Sequence, residues 1–233
     1  MNYDEIFEQY YTAYRAEATA PDSTDDEYAI GLRFANNAIR RWASFDNTYW
    51  KELFTTAVTE NEAQTTTAGV DTYDMPSNYR AIGGYVRLLD ADGVVKRKIP
   101  LVDPQEGQFL GDSSDYCWVS GDPNNGAVLR FNVAPIASGE TIEFDYYKSP
   151  TLLTTGSSVP EMYDPDFIVD HMLALRYRAS RNPYYNTAKR DAENKLGQMK
   201  MTNDSGSWAN PWTIPDRSGS IWGGEQSNSS LVL

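Results

Sequence analysis

Hydrophobic residues near the N-terminus recur with the period of an α-helix. Residues 4–18 are rich in Glu, Ala, Tyr and Gln, and Ile6, Tyr10 and Tyr14 lie on one stripe. A second helix is predicted after residues 23–25, whose side-chain oxygens can accept hydrogen bonds from free backbone N–H groups. This helix has two apolar stripes and should be covered on two sides: Tyr28, Leu32, Ala35, Ile39 and Trp42 form one, and Ile30, Phe34 and Ala38 form the other.

The central part of the chain instead alternates apolar and polar residues, as half-buried strands do. Short alternating runs are separated by turn sequences, of which residues 90–93 and 121–126 are the clearest. Frequent turns between short strands predict a small antiparallel sandwich or barrel-like unit. The predicted strands are residues 70–76, 85–89, 94–95, 116–119, 127–133 and 142–147.

The helical period returns after the last predicted strand. Asp164 can cap a helix that has Pro165 at its first position, where the missing N–H costs nothing. Asn182 and Pro183 interrupt the pattern, so two consecutive helices are predicted. Their apolar stripes are Ile168, Met172, Leu175 and Ala179, then Tyr185, Ala188, Ala192, Leu196 and Met199.

Because helices flank the strands in sequence, the predicted fold is α+β: a helical bundle with an inserted antiparallel β-sandwich or barrel-like domain and an extended C-terminal arm. The predicted domains are N-terminal bundle helices over 1–62, the inserted β domain over 63–150, C-terminal bundle helices over 151–201 and the arm over 202–233.

The arm is dominated by Gly, Ser, Asn and Pro and has no hydrophobic period, so it cannot offset its own ordering entropy. It nevertheless carries large apolar side chains that could anchor it in a groove of another protein or of a neighbouring subunit. The predicted partner-binding residues are Trp208, Trp212, Ile214, Ile221 and Trp222.

Charge is distributed unevenly along the chain. The net charge is −13, yet residues 164–200 hold seven basic and five acidic residues. The acidic surface disfavours a protein that grips nucleic acid, because phosphate backbones are bound by clustered Lys and Arg. The basic segment is either a partner interface or a solvated helix face with cations near the C-terminal dipole. The candidate interface residues are Arg176, Arg181, Lys189 and Arg190.

Residues for catalysis or metal binding are scarce. The one histidine, His171, is predicted to pack in a helix, and the one cysteine, Cys117, is predicted to be a small buried hydrophobe in a strand. One Cys and one His cannot supply a zinc site, and no nucleotide-binding glycine motif is present. We therefore expect no enzyme, cofactor or metal. A lone cysteine fits a reducing compartment. No apolar run approaches the ~18 residues that a membrane span needs, so no span is predicted.

Three segments, taken in order, resemble head-to-tail adaptor proteins of tailed bacteriophages. Residues 63–82 read AQTTTAGVDTYDMPSNYRAI, like the first strand and turn that follow two N-terminal helices in that family. Residues 129–135 (LRFNVAP) and 139–150 (GETIEFDYYKSP) look like a later strand pair of the family. The resemblance covers roughly residues 1–200, and its motifs are structural.

The resemblance implies a ring, usually of twelve subunits, below the portal protein in the neck of the virion. The ring extends the DNA channel and presents a surface to tail or nozzle proteins. Genomic DNA passes through without sequence-specific binding, and assembly takes place in the host cytoplasm. The family implies no catalytic residues.

Two other functions compete with the adaptor. One is a different virion β protein, such as a decoration or tail-spike-base subunit, although flanking amphipathic helices count against it. The other is a carbohydrate-binding or hydrolytic tail module, in which carboxylate pairs such as Glu60 and Glu62 could act. Exposed aromatics on strands would favour the latter, whereas here the tryptophans concentrate in the helical zones and the arm.

Overall fold

A computed structural model of the protein describes residues 1–16, 19–107, 109–111, 113–122 and 126–205. Two helices come first, α1 (Tyr3–Arg15) and α2 (Asp26–Ala43). In α1, Asn2 and Glu5 form a reciprocal capping box. The Asp25 side chain caps α2 by accepting a hydrogen bond from the Glu27 N–H, as its sequence predicts. The last two residues of the first predicted helix, 17 and 18, lie outside the described residues.

The α1 and α2 helices approach closely where α2 carries a glycine. A Cβ atom at Gly31 would lie 2.6 Å from the ring of Phe7, so a side chain there would collide with α1. Both predicted stripes of α2 contribute to the contact surface, because Ile39, Trp42 and Ala38 are all buried. The prediction that α2 is covered on two sides is confirmed for these residues.

Eight strands follow in the described part of the chain, and all of them pair antiparallel. The larger sheet has the order β1-β8-β4-β5, with β2 also paired to β8, and the smaller sheet has the order β3-β7-β6. A single turn of helix, α3 (Pro104–Gly107), follows β5. The strands are β1 (Phe54–Thr56), β2 (Gln64–Thr65), β3 (Thr72–Asp74), β4 (Tyr79–Leu89), β5 (Val95–Pro100), β6 (Cys117–Ser120), β7 (Val128–Phe131) and β8 (Thr141–Lys148).

Apolar residues from both sheets share one buried cluster. Ile142, Phe144 and Tyr146 alternate inward along β8, and Leu129 and Phe131 do the same along β7. Both sheets are open paths, because the outer strands of each do not pair with each other in the described part of the chain. The predicted α+β class with antiparallel strands is confirmed, and the barrel-like alternative is wrong. The bundle with an inserted sandwich stays a prediction, as do the domain boundaries.

Two further helices, α4 (Asp166–Ala179) and α5 (Tyr185–Ser205), pack with α1 and α2 around a second buried cluster. The Asp164 side chain accepts a hydrogen bond from the Asp166 N–H, so it caps α4 as predicted. The α5 helix continues to Ser205, so its last four residues, 202–205, fall within the predicted arm.

The junction between helices and sheets is polar and well connected. Lys148, at the end of β8, forms ion pairs with Glu60 (3.0 Å) and Glu161 (2.9 Å). Glu60 also accepts hydrogen bonds from Thr55 and Asn78. This Lys148 cluster ties the end of the central strand to the segment that leads into α4, and so fixes one end of the sheet against the helices.

Candidate interaction surfaces

The four predicted basic interface residues do not share one environment. Arg176, in α4, forms an ion pair with Glu27 of α2 at 2.6 Å, and its guanidinium lies 4.8 Å from the centre of the Tyr14 ring. Its charge therefore holds three helices together. Because Glu27 is 149 residues away in sequence, no local pattern could have revealed this pairing.

The other three cations are exposed around the connection between α4 and α5. Arg181 follows α4 with a left-handed backbone (φ 53°), and Lys189 and Arg190 lie in the first two turns of α5. Lys189 lies 3.8 Å from Glu193, and Arg190 lies 3.8 Å from Asp191. Such exposed pairs contribute little to stability, so these side chains are available for an external partner.

The five predicted anchors of the arm, Trp208, Trp212, Ile214, Ile221 and Trp222, lie outside the described residues. The helix that leads to them is firmly placed. Asn203, near the end of α5, donates a hydrogen bond to the Tyr49 carbonyl and accepts one from the Lys51 N–H. Lys200 forms an ion pair with Asp46. The end of α5 is thus fastened to the segment between α2 and β1.

The quoted TTTAG motif builds a loop clamp at the opposite end of the sheets. Thr66 is buried, donates a hydrogen bond to the Ala137 carbonyl and accepts one from the Glu140 N–H. The Tyr73 hydroxyl accepts a hydrogen bond from the Thr67 N–H. The Gly69 backbone is left-handed (φ 79°), which a side chain disfavours. The motif residues are therefore structural, as the resemblance implies.

The clamp lies beside the hairpin between β4 and β5, and each of the two presents an exposed apolar side chain. Leu89 of β4 pairs with both Thr141 of β8 and Val95 of β5, so the hairpin 90–94 and the loop 132–140 lie at the same end of the larger sheet. We call this the distal end, because the other end of β8 meets the helices. Ile136 is 86% exposed and Val94 is 60% exposed there. The sequence signal for this surface, an isoleucine within a loop, is too common to single out.

A third surface lies along the first half of β5, an outer strand of the larger sheet. Strand β5 pairs with β4 alone among the described strands, and it carries Lys96, Arg97 and Lys98 in succession. The sequence analysis did not identify this surface, although three adjacent cations in an acidic chain could have indicated it.

Of the groups that could perform chemistry, Cys117 is buried and His171 is partly buried and contacts other side chains. The His171 ring packs against Phe167 and lies 3.0 Å from the Asn37 side-chain oxygen. Burial, with help from Arg41, lowers the pKa of His171 to about 4, so the ring is neutral at pH 7. Burial, with help from Asp115, raises the pKa of the Cys117 thiol to about 12, so it is not a thiolate.

Within the described ranges the chain has neither a cluster of metal-binding side chains nor a helix suited to a membrane. Acidic, His and Cys side chains form no group suited to a metal ion there. None of the described helices combines the length and apolarity needed to cross a membrane.

Comparison with known proteins gives one family match. A protein-family model described as SU10 adaptor protein matches residues 1–215, which include all of the described helices and strands. No curated protein matches the chain. The family match confirms the resemblance to phage adaptors that the three sequence motifs indicated.

Proposed function

The chain belongs to the SU10 adaptor protein family, a family of structural phage proteins, and we propose that it is the head-to-tail adaptor of a virion. Copies of the chain form a ring, a dodecamer in the manner of the family, below the portal protein in the neck. The ring extends the DNA channel and offers the attachment surface for tail or nozzle proteins. The observation that carries the proposal is the family match over residues 1–215.

Surface charge supports a channel through which DNA slides. The net charge of −13 disfavours tight binding to phosphates, whose affinity for proteins comes mainly from Lys and Arg contacts. A ring of such subunits repels DNA from its surface, and passage requires weak contacts. Genomic DNA accordingly passes through the channel without sequence-specific binding.

A structural role also fits the packing of the chain's reactive groups. The adaptor family is structural, which supports a protein without catalytic residues or cofactors. His171 is neutral and packed inside the helices, and Cys117 is a protonated thiol inside the sheets. Both side chains serve packing in this proposal.

Exposed surfaces at separate places suit a protein with several partners. The distal end of the sheets presents Val94 and Ile136, while Arg181, Lys189 and Arg190 lie at the connection between α4 and α5. An adaptor must contact its own copies, the portal and a tail protein at once, so it needs more than one interface.

Electron microscopy of the purified protein with purified portal rings tests the proposal. We expect monomers in isolation, because the ring forms on the portal as a template, and a closed ring stacked on the portal after mixing. Analytical ultracentrifugation of the protein alone supplies the control. A chain that never joins portal rings, under conditions where it is folded and monodisperse, contradicts the adaptor function.

We further propose that the arm is an assembly-coupled clamp, whose aromatic anchors order against a groove on the portal or on a neighbouring subunit. Deletion of residues 206–233 is expected to abolish joining to portal rings while the melting temperature stays unchanged. The deletion must begin after Ser205, because Asn203 holds the segment 49–51.

A full-length chain with alanine at Trp208, Trp212 and Trp222 is the matched variant, since it keeps the length of the arm. It should fail to join portal rings as the deletion does. A sharp fall in melting temperature in either variant would show instead that these rings pack on their own subunit, and the clamp proposal would be wrong.

A further inference from the structure

Strand β5 concentrates positive charge at a sheet edge. Lys96, Arg97 and Lys98 are consecutive in a chain whose net charge is −13. Arg97 is paired with Asp115 at 2.5 Å. Lys96 and Lys98 are exposed and have no ion-pair partner within the described residues. Two cations at this edge are therefore available to a partner outside the subunit.

The local backbone turns these lysines outward. Arg97 pairs with Leu88 and Val95 pairs with Leu89, so Lys96 is the extra residue of a β-bulge. Lys98 lies opposite Arg87, whose own charge is neutralised by Glu143 and Asp145. Two exposed apolar residues border the lysines, Tyr85 at 56% and Val95 at 41% exposure. An exposed aromatic residue, a type that is enriched in protein interfaces, therefore lies beside the two unpaired lysines.

A second surface of the same chain has the opposite charge. Residues 1–27 contain eight acidic residues and one basic residue, a net of −7 that is more than half of the chain's total. Glu8, Asp22 and Asp26 are exposed within this segment. They belong to α1, to the turn before α2 and to the first turn of α2, all in the helical part of the molecule. None of them forms an ion pair with β5 among the described residues.

We propose that the β5 edge of one copy, through Lys96 and Lys98, binds the acidic N-terminal helices of the next copy. The contact joins two different surfaces and is therefore heterologous, which is the type of contact that closes into a ring. Charge complementarity sets the orientation in which successive copies meet. The proposal rests on the proposed adaptor ring and identifies the surfaces that form it.

Charge reversal tests the contact. In mixing experiments with portal rings, Lys96→Glu combined with Lys98→Glu should raise the concentration needed for half-maximal ring formation by about tenfold or more. Glu8→Lys combined with Asp26→Lys should have the same effect. The four changes in one chain should restore ring formation, because each copy then presents both reversed surfaces.

Arg40→Glu with Arg130→Glu is the matched control, since it changes the net charge equally at exposed positions outside β5 and outside residues 1–27. It should leave ring formation close to that of the unaltered chain. Higher salt should weaken ring formation by the unaltered chain, because exposed charges are screened within roughly 10 Å at 0.1 M. Thermal unfolding of every variant monitors folding.

These mixing experiments distinguish the proposed contact from the adaptor function. If the unaltered chain forms rings on the portal and the β5 variant forms them at the same concentration, the proposed contact is overturned and the adaptor role stands. An equal loss in the Arg40 and Arg130 control also overturns it, because bulk charge would then be the cause. Unimpaired rings with reduced DNA binding would assign the lysines to nucleic acid instead. Rings absent even for the unaltered chain would remove the adaptor function itself.

Discussion

Replacement of Trp50 by alanine is expected to lower the free energy of unfolding by about 3–5 kcal/mol, the range found for large aromatic residues removed from protein cores. Trp50 is 1% exposed, and its ring centre lies 5.3 Å from that of Trp42. Its indole N–H donates a hydrogen bond to the Trp42 carbonyl at 2.8 Å. The side chain therefore fills a core position and satisfies a backbone carbonyl near the end of α2, just before the chain enters β1.

Urea unfolding followed by circular dichroism measures the effect. Trp50→Phe keeps an aromatic ring and loses the hydrogen bond, so its effect should fall between those of alanine and the unaltered chain. Tyr184→Ala is the control, because Tyr184 is 67% exposed and surface changes of this kind usually stay within about 0.5 kcal/mol. A loss below about 1 kcal/mol for Trp50→Ala would contradict the described packing.

Lys148→Met is expected to destabilise the protein by about 2 kcal/mol at pH 7. The change removes the cation that Glu60 and Glu161 share. The side chains of these two residues are only 22% and 21% exposed. Breaking a fully buried ion pair from one side costs about 3–5 kcal/mol, and partial solvation of this cluster reduces that cost. The exposed Lys189→Met, which breaks the surface pair with Glu193, is the control and should cost at most about 0.5 kcal/mol.

Acid should weaken the effect of Lys148→Met. Burial by itself would raise the pKa of Glu60, but hydrogen bonds from Lys148 and Thr55 outweigh it and hold that pKa below its usual value of 4.5. A carboxylate with a lowered pKa contributes stability above its unfolded pKa, and the contribution is lost as pH falls through its folded pKa. The stability difference between the two proteins should therefore shrink as pH falls below 4.5. A constant difference from pH 7 to pH 3 would show that the Lys148 cluster is not the cause.

Local patterns in the sequence were sufficient for the types of most elements, although no predicted strand covers β1 or β2. The two stripes of α2, the Asp25 and Asp164 caps and the alternation of Ile142, Phe144 and Tyr146 all appear in the structure. They succeed because helix and strand periods depend on neighbours within a few residues. The family was also recognisable, because a motif such as TTTAG specifies one clamp through Thr66 and Gly69.

Pairing between distant segments was decided only by the tertiary structure. Strand β8 pairs with β1, β2 and β4, and the sheets end in open edges rather than closing into a barrel. Arg176 looked like a free cation in sequence, yet it is paired with Glu27, and Lys148 joins two carboxylates from separate loops. The lysines of β5 became a candidate surface only because that strand lies at an edge. Such relations depend on which residues the fold brings together over long separations, and hydrophobic period carries no information about them.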